Sequence, residues 1–244
     1  MSLLSTLEEL RDFDTALLAN TIENIDPTPA HEYYMGGSIR SVTPALGPTV
    51  GVAMTCELDS STPGGTAETE LFWRQIEAMQ DMNAPVVWVV RAAGSRPDHE
   101  CILGDGMAKA LYAAGCVGAV TNGGVRDVAG LLTTPFAAYC KGITIHHCPL
   151  RYKSVNKPVE VGGITIHSGD VIHAGAEGVI KIPKSCLDNL PAKAIQMRTF
   201  EHAAHGVLRR TGLSVSEKRR LFDDVVAKYG LAACTSRETE KRRE

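Results

Sequence analysis

The chain has 244 residues, 44% of them hydrophobic and 22% charged, and 25 Lys and Arg against 28 Asp and Glu give a formal charge of −3 at pH 7. Such a length supports a sizeable core, and the balance excludes wholesale disorder, which goes with few apolar residues and one dominant charge sign. There is no global basic field to point to nucleic acid or an anionic membrane as the main partner. The opening run Met1–Glu9 lacks a basic stretch followed by an apolar one, and apolar runs such as Ala84–Val90 are too short to cross a bilayer. The expectation is a soluble, cytoplasmic protein without a secretory leader. Cys56, Cys101, Cys116, Cys140, Cys148, Cys186 and Cys234 are odd in number, widely spaced and free of any CxxC pair. They read as free, buried or partly buried thiols rather than a zinc site or a disulfide framework.

In chain order, Leu7, Leu10, Phe13, Leu17 and Leu18 recur at helical spacing and predict a helix over 5–25, with Asp14-Thr15 as a cap or break. Thr49–Cys56 reads as a strand, Ser60–Thr66 as a glycine- and threonine-rich loop, and Glu68–Met82 as a helix. Pro85–Val90 is a short, β-branched, wholly apolar run and predicts a buried strand. A loop over Ala92–Pro97, a helix over Asp105–Ala114, a strand over Val117–Thr121, a turn at Asn122–Gly124 and a helix over Val125–Leu132 follow. This alternation indicates an α/β core. Beyond it, Ile143–His146, Val159–Val161, Ile164–His167, Val171–His173 and Val179–Ile182 look extended, with Pro183 ending the last. Helices return over Lys193–Arg210 and Ser216–Tyr229. The reading is one α/β domain over 1–235, with two closely packed β layers and terminal helices, then a charged tail over 236–244 that has little to bury.

Two loops carry chemical information. Gly104-Asp105-Gly106-Met107-Ala108 stands at a strand-to-helix junction, where backbone amides and the helix N-terminus together favour a carboxylate or phosphate. Gly123-Gly124-Val125-Arg126-Asp127 sets a guanidinium beside a carboxylate at a helix start. The first can fork onto a carboxylate or oxyanion, and the second can take a hard cation such as Mg²⁺. Both loops are expected at the C-terminal ends of buried strands in successive strand–helix units, facing one crevice.

The run from Gly104 to Asp127 resembles the signature of the RraA-like family, which includes class II 4-hydroxy-4-methyl-2-oxoglutarate/4-carboxy-4-hydroxy-2-oxoadipate aldolases and the regulator of ribonuclease E activity A. Gly51–Thr55, Pro158–Asp170 and Glu177–Pro183 extend the resemblance to roughly residues 14–212. It implies a swivelling β/β/α-type layered fold with terminal helices, assembled as a trimer or dimer of trimers with shared active sites. It further implies that Gly104, Asp105, Gly106 and Met107 hold the substrate carboxylate and that Arg126 contacts the keto oxygen and stabilises an enolate. Asp127 would ligate Mg²⁺ or Mn²⁺ directly. Asp105, near the proton path, and Glu201 from a neighbouring subunit would hold metal-bound water. The chain departs from the family pattern at Ser168, where Pro is common, at Gly175, where an Asp is common, and over residues 141–157, which are not a clean match; these departures bear on substrate choice.

The implied activity is a Mg²⁺-dependent lyase that cleaves a 4-hydroxy-2-oxo acid through a pyruvate enolate, with oxaloacetate decarboxylation as a related reaction. The alternative is a non-catalytic regulator that binds another enzyme such as a ribonuclease, which has no need of Asp105, Arg126 and Asp127 together. Several other features read as ordinary. His202 and His205 form a polar helix face, His146 and His147 point to opposite faces of a strand, Lys218-Arg219-Arg220 is solvated, and Trp73 and Trp88 are core residues.

Overall fold

The computed structural model describes residues 2–147 and 149–230. The tail at 236–244 lies outside them, as do Cys148 and Cys234; the other five cysteines are free and buried.

The first predicted helix is two: α1 (Leu3–Leu10) and α2 (Thr15–Ile25). Asp14 ends the continuity, because its carboxylate accepts the Leu17 amide at 2.7 Å and so starts a new helix. After α3 (Ala30–Tyr33) and β1 (Arg40–Ser41) comes β2 (Thr49–Asp59), and then α4 (Glu70–Gln80) and β3 (Val86–Ala92). The central alternation continues with β4 (Cys101–Leu103), α5 (Asp105–Ala113), β5 (Cys116–Thr121), β6 (Gly124–Val125), α6 (Val128–Thr133) and β7 (Ala137–Cys140). Short strands follow: β8 (Gly142–Ile143), β9 (Arg151–Val155), β10 (Val159–Val161), β11 (Ile164–Ile166), β12 (Val171–Gly175) and β13 (Gly178–Ile182). The chain then forms α7 (Leu190–Leu208) and α8 (Val215–Tyr229).

The main sheet runs β1-β7-β5-β3-β2-β12-β13, with β9 also on β2. Its centre, β7-β5-β3-β2, is parallel, and β1, β9, β12 and β13 join antiparallel. Strand periodicity divides the core between the two faces. Met54, Cys56, Trp88 and Val90 pack with Phe72, Met79 and Leu111 on the α4/α5 side. Ala53, Val87 and Val89 pack with Val159, Val161, Ile164 and Ile166 of the β10-β11 hairpin on the other. A third cluster seats Leu10, Leu18 and Ile22 against Val50, Val171 and Leu190. Each fully buried Val, Leu, Ile, Phe or Met among these stabilises the fold by roughly 1.5–3 kcal/mol relative to exposure. Trp88 is fully buried, and its indole donates to Gln75 at 3.0 Å. Trp73, expected in the core, is 54% exposed, because its neighbour Phe72 takes the inward position on α4.

A separate three-stranded parallel sheet, β4-β6-β8, positions the two loops. Its strands are only two or three residues long, too short to leave a hydrophobic pattern; β4 is the strand that the junction at Gly104 implied without giving it bounds. No helix among the described residues is long and apolar enough to cross a membrane.

Candidate active site

Leu103 pairs with Val125 in register, and the Arg126 amide donates to the Leu103 carbonyl at 2.9 Å. The Gly104–Ala108 and Gly123–Asp127 segments therefore leave adjacent strands of the small sheet side by side. The expected juxtaposition holds, but the strands that carry it are β4 and β6, not members of the main sheet. Glycines permit the close approach. A Cβ on Gly104 would lie 2.9 Å from both Arg126 Nε and Asp127 Oδ2. A Cβ on Gly130 of α6 would lie 2.5 Å from the Asp105 Cβ, so that glycine lets the start of α5 sit against α6.

A cavity of about 350 Å³ opens in front of these loops and is lined by Leu103–Met107, Arg126, His146, His147 and Leu150, with Cys101 and Ile102 behind. The first α5 amide with a helical acceptor is that of Ala108, bonded to the Gly104 carbonyl at 3.1 Å. The amides of Gly106 and Met107 precede it and mark the positive end of the helix dipole at the cavity wall. Arg126 is partly exposed; its Nε lies 3.4 Å from Asp127 Oδ2, and its terminal nitrogens have no partner among the described residues. Asp127 sits in the left-handed region with φ 57° and makes no side-chain cap to α6. Its carboxylate is thus turned toward Arg126 instead of the helix it precedes. Asp105 accepts from Lys109 at 2.6 Å, and that hydrogen bond, with the ammonium charge, holds its carboxyl below the ordinary value.

Gly104, Asp105, Gly106, Met107 and Arg126 thus share one cavity wall. Asp127 stands behind Gly104 and is outside the lining. Glu201 lies on α7, where it accepts from Asn20 at 3.0 Å, and it does not reach this cavity within its own chain. Among the described residues no group of three or more His, Cys, Asp or Glu side chains is placed to hold a metal.

His146 and His147 correct the sequence reading. The strand there ends at Ile143, and both imidazoles line the cavity from the irregular segment that follows. The opposite-face rule applies only within a strand, so it fails here. Of the departures from the family pattern, residues 141–157 supply His146, His147 and Leu150 to the cavity, whereas Ser168 and Gly175 do not line it. Ser168 Oγ sits 3.1 Å from the Thr55 amide, 2.8 Å from the Thr55 hydroxyl and 3.1 Å from Asn156. Gly175 leaves room for Thr15, whose Oγ1 would lie 2.6 Å from a Cβ there.

Fold and site together define an α/β protein with a helix start and an arginine–aspartate pair beside one cleft. A sequence profile of the RraA-like family (Aldolase/RraA) matches residues 19–181, and the chain belongs to that family. A Halalkalibacterium halodurans protein that carries the provisional name 4-hydroxy-4-methyl-2-oxoglutarate aldolase is 33% identical over 132 residues, which are 52% of this chain and 60% of that one. The chain therefore spans less than two thirds of that relative. Among solved structures, an uncharacterised protein from Pseudomonas syringae pv. tomato superposes with a TM-score of 0.66 at 21% identity, over 88% of this chain and 93% of that one. Streptomyces coelicolor RraAS2, described as an unusual member of the RNase ES inhibitor RraA family, gives 0.64 at 22% identity over 81% and 94%. At these identities the two structures share the fold.

Proposed function

We propose that the protein is a divalent-metal-dependent lyase that cleaves a 4-hydroxy-2-oxo acid to pyruvate and a carbonyl fragment, with oxaloacetate decarboxylation as a related reaction. The observation that carries this reading is that the end of the Arg126 guanidinium, without a hydrogen-bond partner among the described residues, shares one cavity wall with the N-terminus of α5. The wall offers a seat for a carboxylate and a fork for the neighbouring oxygen.

The donor set suits a hard cation. Mg²⁺ uses one or two carboxylates and keeps several waters, so it needs no cluster of three acidic or imidazole ligands. Asp127 has one oxygen near Arg126 and no other side-chain partner among the described residues, and Gly104 leaves free the space before it that a Cβ would fill. Asp127 would hold the ion directly, and Asp105 would act through water, joined by Glu201 of a neighbouring subunit in a trimer or dimer of trimers. Bound there, Mg²⁺ or Mn²⁺ supplies Lewis-acid stabilisation of charge on the 2-oxo oxygen.

The chain's own groups supply the remainder. The Gly106 and Met107 amides seat the C1 carboxylate. Asp105, whose carboxyl Lys109 holds below its ordinary value, takes the C4 hydroxyl proton through water. As the C3–C4 bond breaks, its electron pair forms the C2–C3 enolate and C4 becomes a carbonyl. Arg126 hydrogen-bonds the developing enolate oxygen. Return of the proton to C3 gives pyruvate. No amine is consumed, so no lysine is required.

The test is pyruvate release from a panel of 4-hydroxy-2-oxo acids and oxaloacetate, with and without EDTA. Release that stops in EDTA and returns with Mg²⁺ is the expected result. Undiminished turnover by metal-free protein would remove the metal, and no turnover of any member would favour the regulator reading.

A further inference from the structure

A second cavity, of about 370 Å³, adjoins the first, and His146 lines both. Its walls include Ser61, Thr62, Arg96, His99 and Arg151. Two buried carboxylates stand behind them. Asp59, 3% exposed, is opposed by burial, but Arg151 at 3.0 Å and the amides of Thr62 at 3.0 Å and Ser61 at 3.2 Å outweigh it and hold the acid well below the usual carboxylate range. Glu100, 1% exposed, accepts from the Ser60 amide at 2.9 Å, the Ser61 hydroxyl at 3.0 Å, and also from the Ser60 hydroxyl and Gly94 amide.

These carboxylates fix a loop. The Ser61 hydroxyl that donates to Glu100 accepts the Arg96 amide at 2.9 Å, and the Thr62 hydroxyl accepts the Ser95 amide at 2.9 Å. Asp59, Ser61 and Glu100 converge on Gly94 so closely that a Cβ there would collide with all three. The segment they strap down carries one cation outward. Arg96 has no side-chain hydrogen-bond or ion-pair partner among the described residues, nor do the imidazoles of His99 and His146. Arg151 is different, since its guanidinium is taken up by Asp59 and the carbonyls of Thr62 and Gly64. An uncompensated guanidinium in a concave site, on a backbone anchored by buried acids, is matched by an anion.

We infer that the second cavity is an anion subsite for the far end of the same ligand, with Arg96 as its specificity-determining residue and Glu100 as the positioning residue behind it. The ligand class is a 2-oxo acid with a terminal carboxylate; the head occupies the first cavity and the terminal carboxylate meets Arg96 past His146. The assignment of the head rests on the function proposed above. On cleavage the carboxylate leaves with the carbonyl fragment, so this subsite selects the fragment that departs and has no part in enolate formation.

The full chain, with Mg²⁺, is titrated calorimetrically with the uncleavable diacids 2-oxoglutarate and 2-oxoadipate and with their singly charged counterparts 2-oxopentanoate and 2-oxohexanoate. At least one diacid should bind the wild type about tenfold or more tightly than its counterpart, as expected of a charge-assisted contact. Arg96→Met should erase that preference while leaving exchange of pyruvate methyl protons with D₂O unchanged. No preference in the wild type, or one that survives Arg96→Met, overturns the subsite. A wild type that exchanges no pyruvate protons but keeps an Arg96-dependent preference refutes the 2-oxo acid reading of the first cavity and leaves the anion subsite standing.

Discussion

His173 is fully buried, and both ring nitrogens are engaged: Nδ1 lies 3.0 Å from the Thr15 hydroxyl and Nε2 lies 3.2 Å from the Leu10 carbonyl. It ties the ends of α1 and α2 to β12. Arg126 and Asp127, on adjoining residues at the small sheet, meet each other at 3.4 Å and otherwise face solvent or the cavity. The first cluster is closed, and each polar atom is matched where water cannot reach it. The second holds one cation and one anion with unused hydrogen-bonding capacity in a cleft. A buried polar group left unmatched is costly, so closure marks a structural part, whereas capacity held open by a rigid scaffold marks a part that waits for a ligand.

The comparison breaks if changes in the open cluster unfold the protein or changes in the closed one abolish turnover. The largest effect is expected at Arg126. Arg126→Ala should lower kcat about 10²–10³-fold, as for loss of one oxyanion donor, with melting temperature little changed. Arg126→Lys should recover little, because an ammonium lacks the planar fork. Equal kcat per folded molecule in the alanine variant would take Arg126 out of the mechanism.

Thr15→Val tests the closed cluster. It removes the hydroxyl that meets His173 Nδ1 while nearly preserving shape, and an unmatched buried nitrogen should cost about 1–3 kcal/mol in urea unfolding. The kcat of the folded fraction should stay at the wild-type value.

The same histidine gives the closed cluster a pH signature. Burial lowers its pKa from 6.5 to about 4, against the smaller opposing effect of its bonds to the α1–α2 turn. The native imidazole therefore stays neutral while the unfolded one protonates. The unfolded state binds more protons, and stability is full above pH 6.5 and is lost as pH falls toward 4. Between pH 7 and 5.5 the loss should be about 1 kcal/mol, and His173→Asn should flatten that part of the profile. A wild-type profile flat across this interval would contradict the buried neutral assignment.

The smallest effect is expected at Lys109. It is exposed, so Lys109→Ala should leave stability within measurement scatter. Its hydrogen bond and charge keep Asp105 ionised to lower pH, so the acid limb of the activity profile should move upward in the variant. An unmoved limb would mean that Asp105 is not the proton carrier.

The two loops beside the cavity were legible because their information is local. Glycine beside Asp105 and the Arg126-Asp127 pair state, at the level of residue type, what an anion seat and a hard-cation ligand need. The buried strands β3 and β5 were equally plain, since continuous apolar β-branched runs have few other uses. Asp14 offered a cap or a break by its side-chain chemistry, and only the structure shows that it starts a second helix. Tertiary structure decided the remainder. The β4, β6 and β8 strands owe their existence to one another, because two or three residues cannot fix a strand without a partner already in place. His146 and His147 reach the cavity because the strand stops at Ile143, a boundary set by the extent of pairing with β6. Nothing local singles out Glu100, which is 1% exposed, since the donors that allow its burial come from Ser60 and Ser61, 40 and 39 positions away, and from the nearer Gly94. Local chemistry can be read from composition and spacing; burial, and the sharing of one cavity by distant residues, follow only when the chain closes on itself.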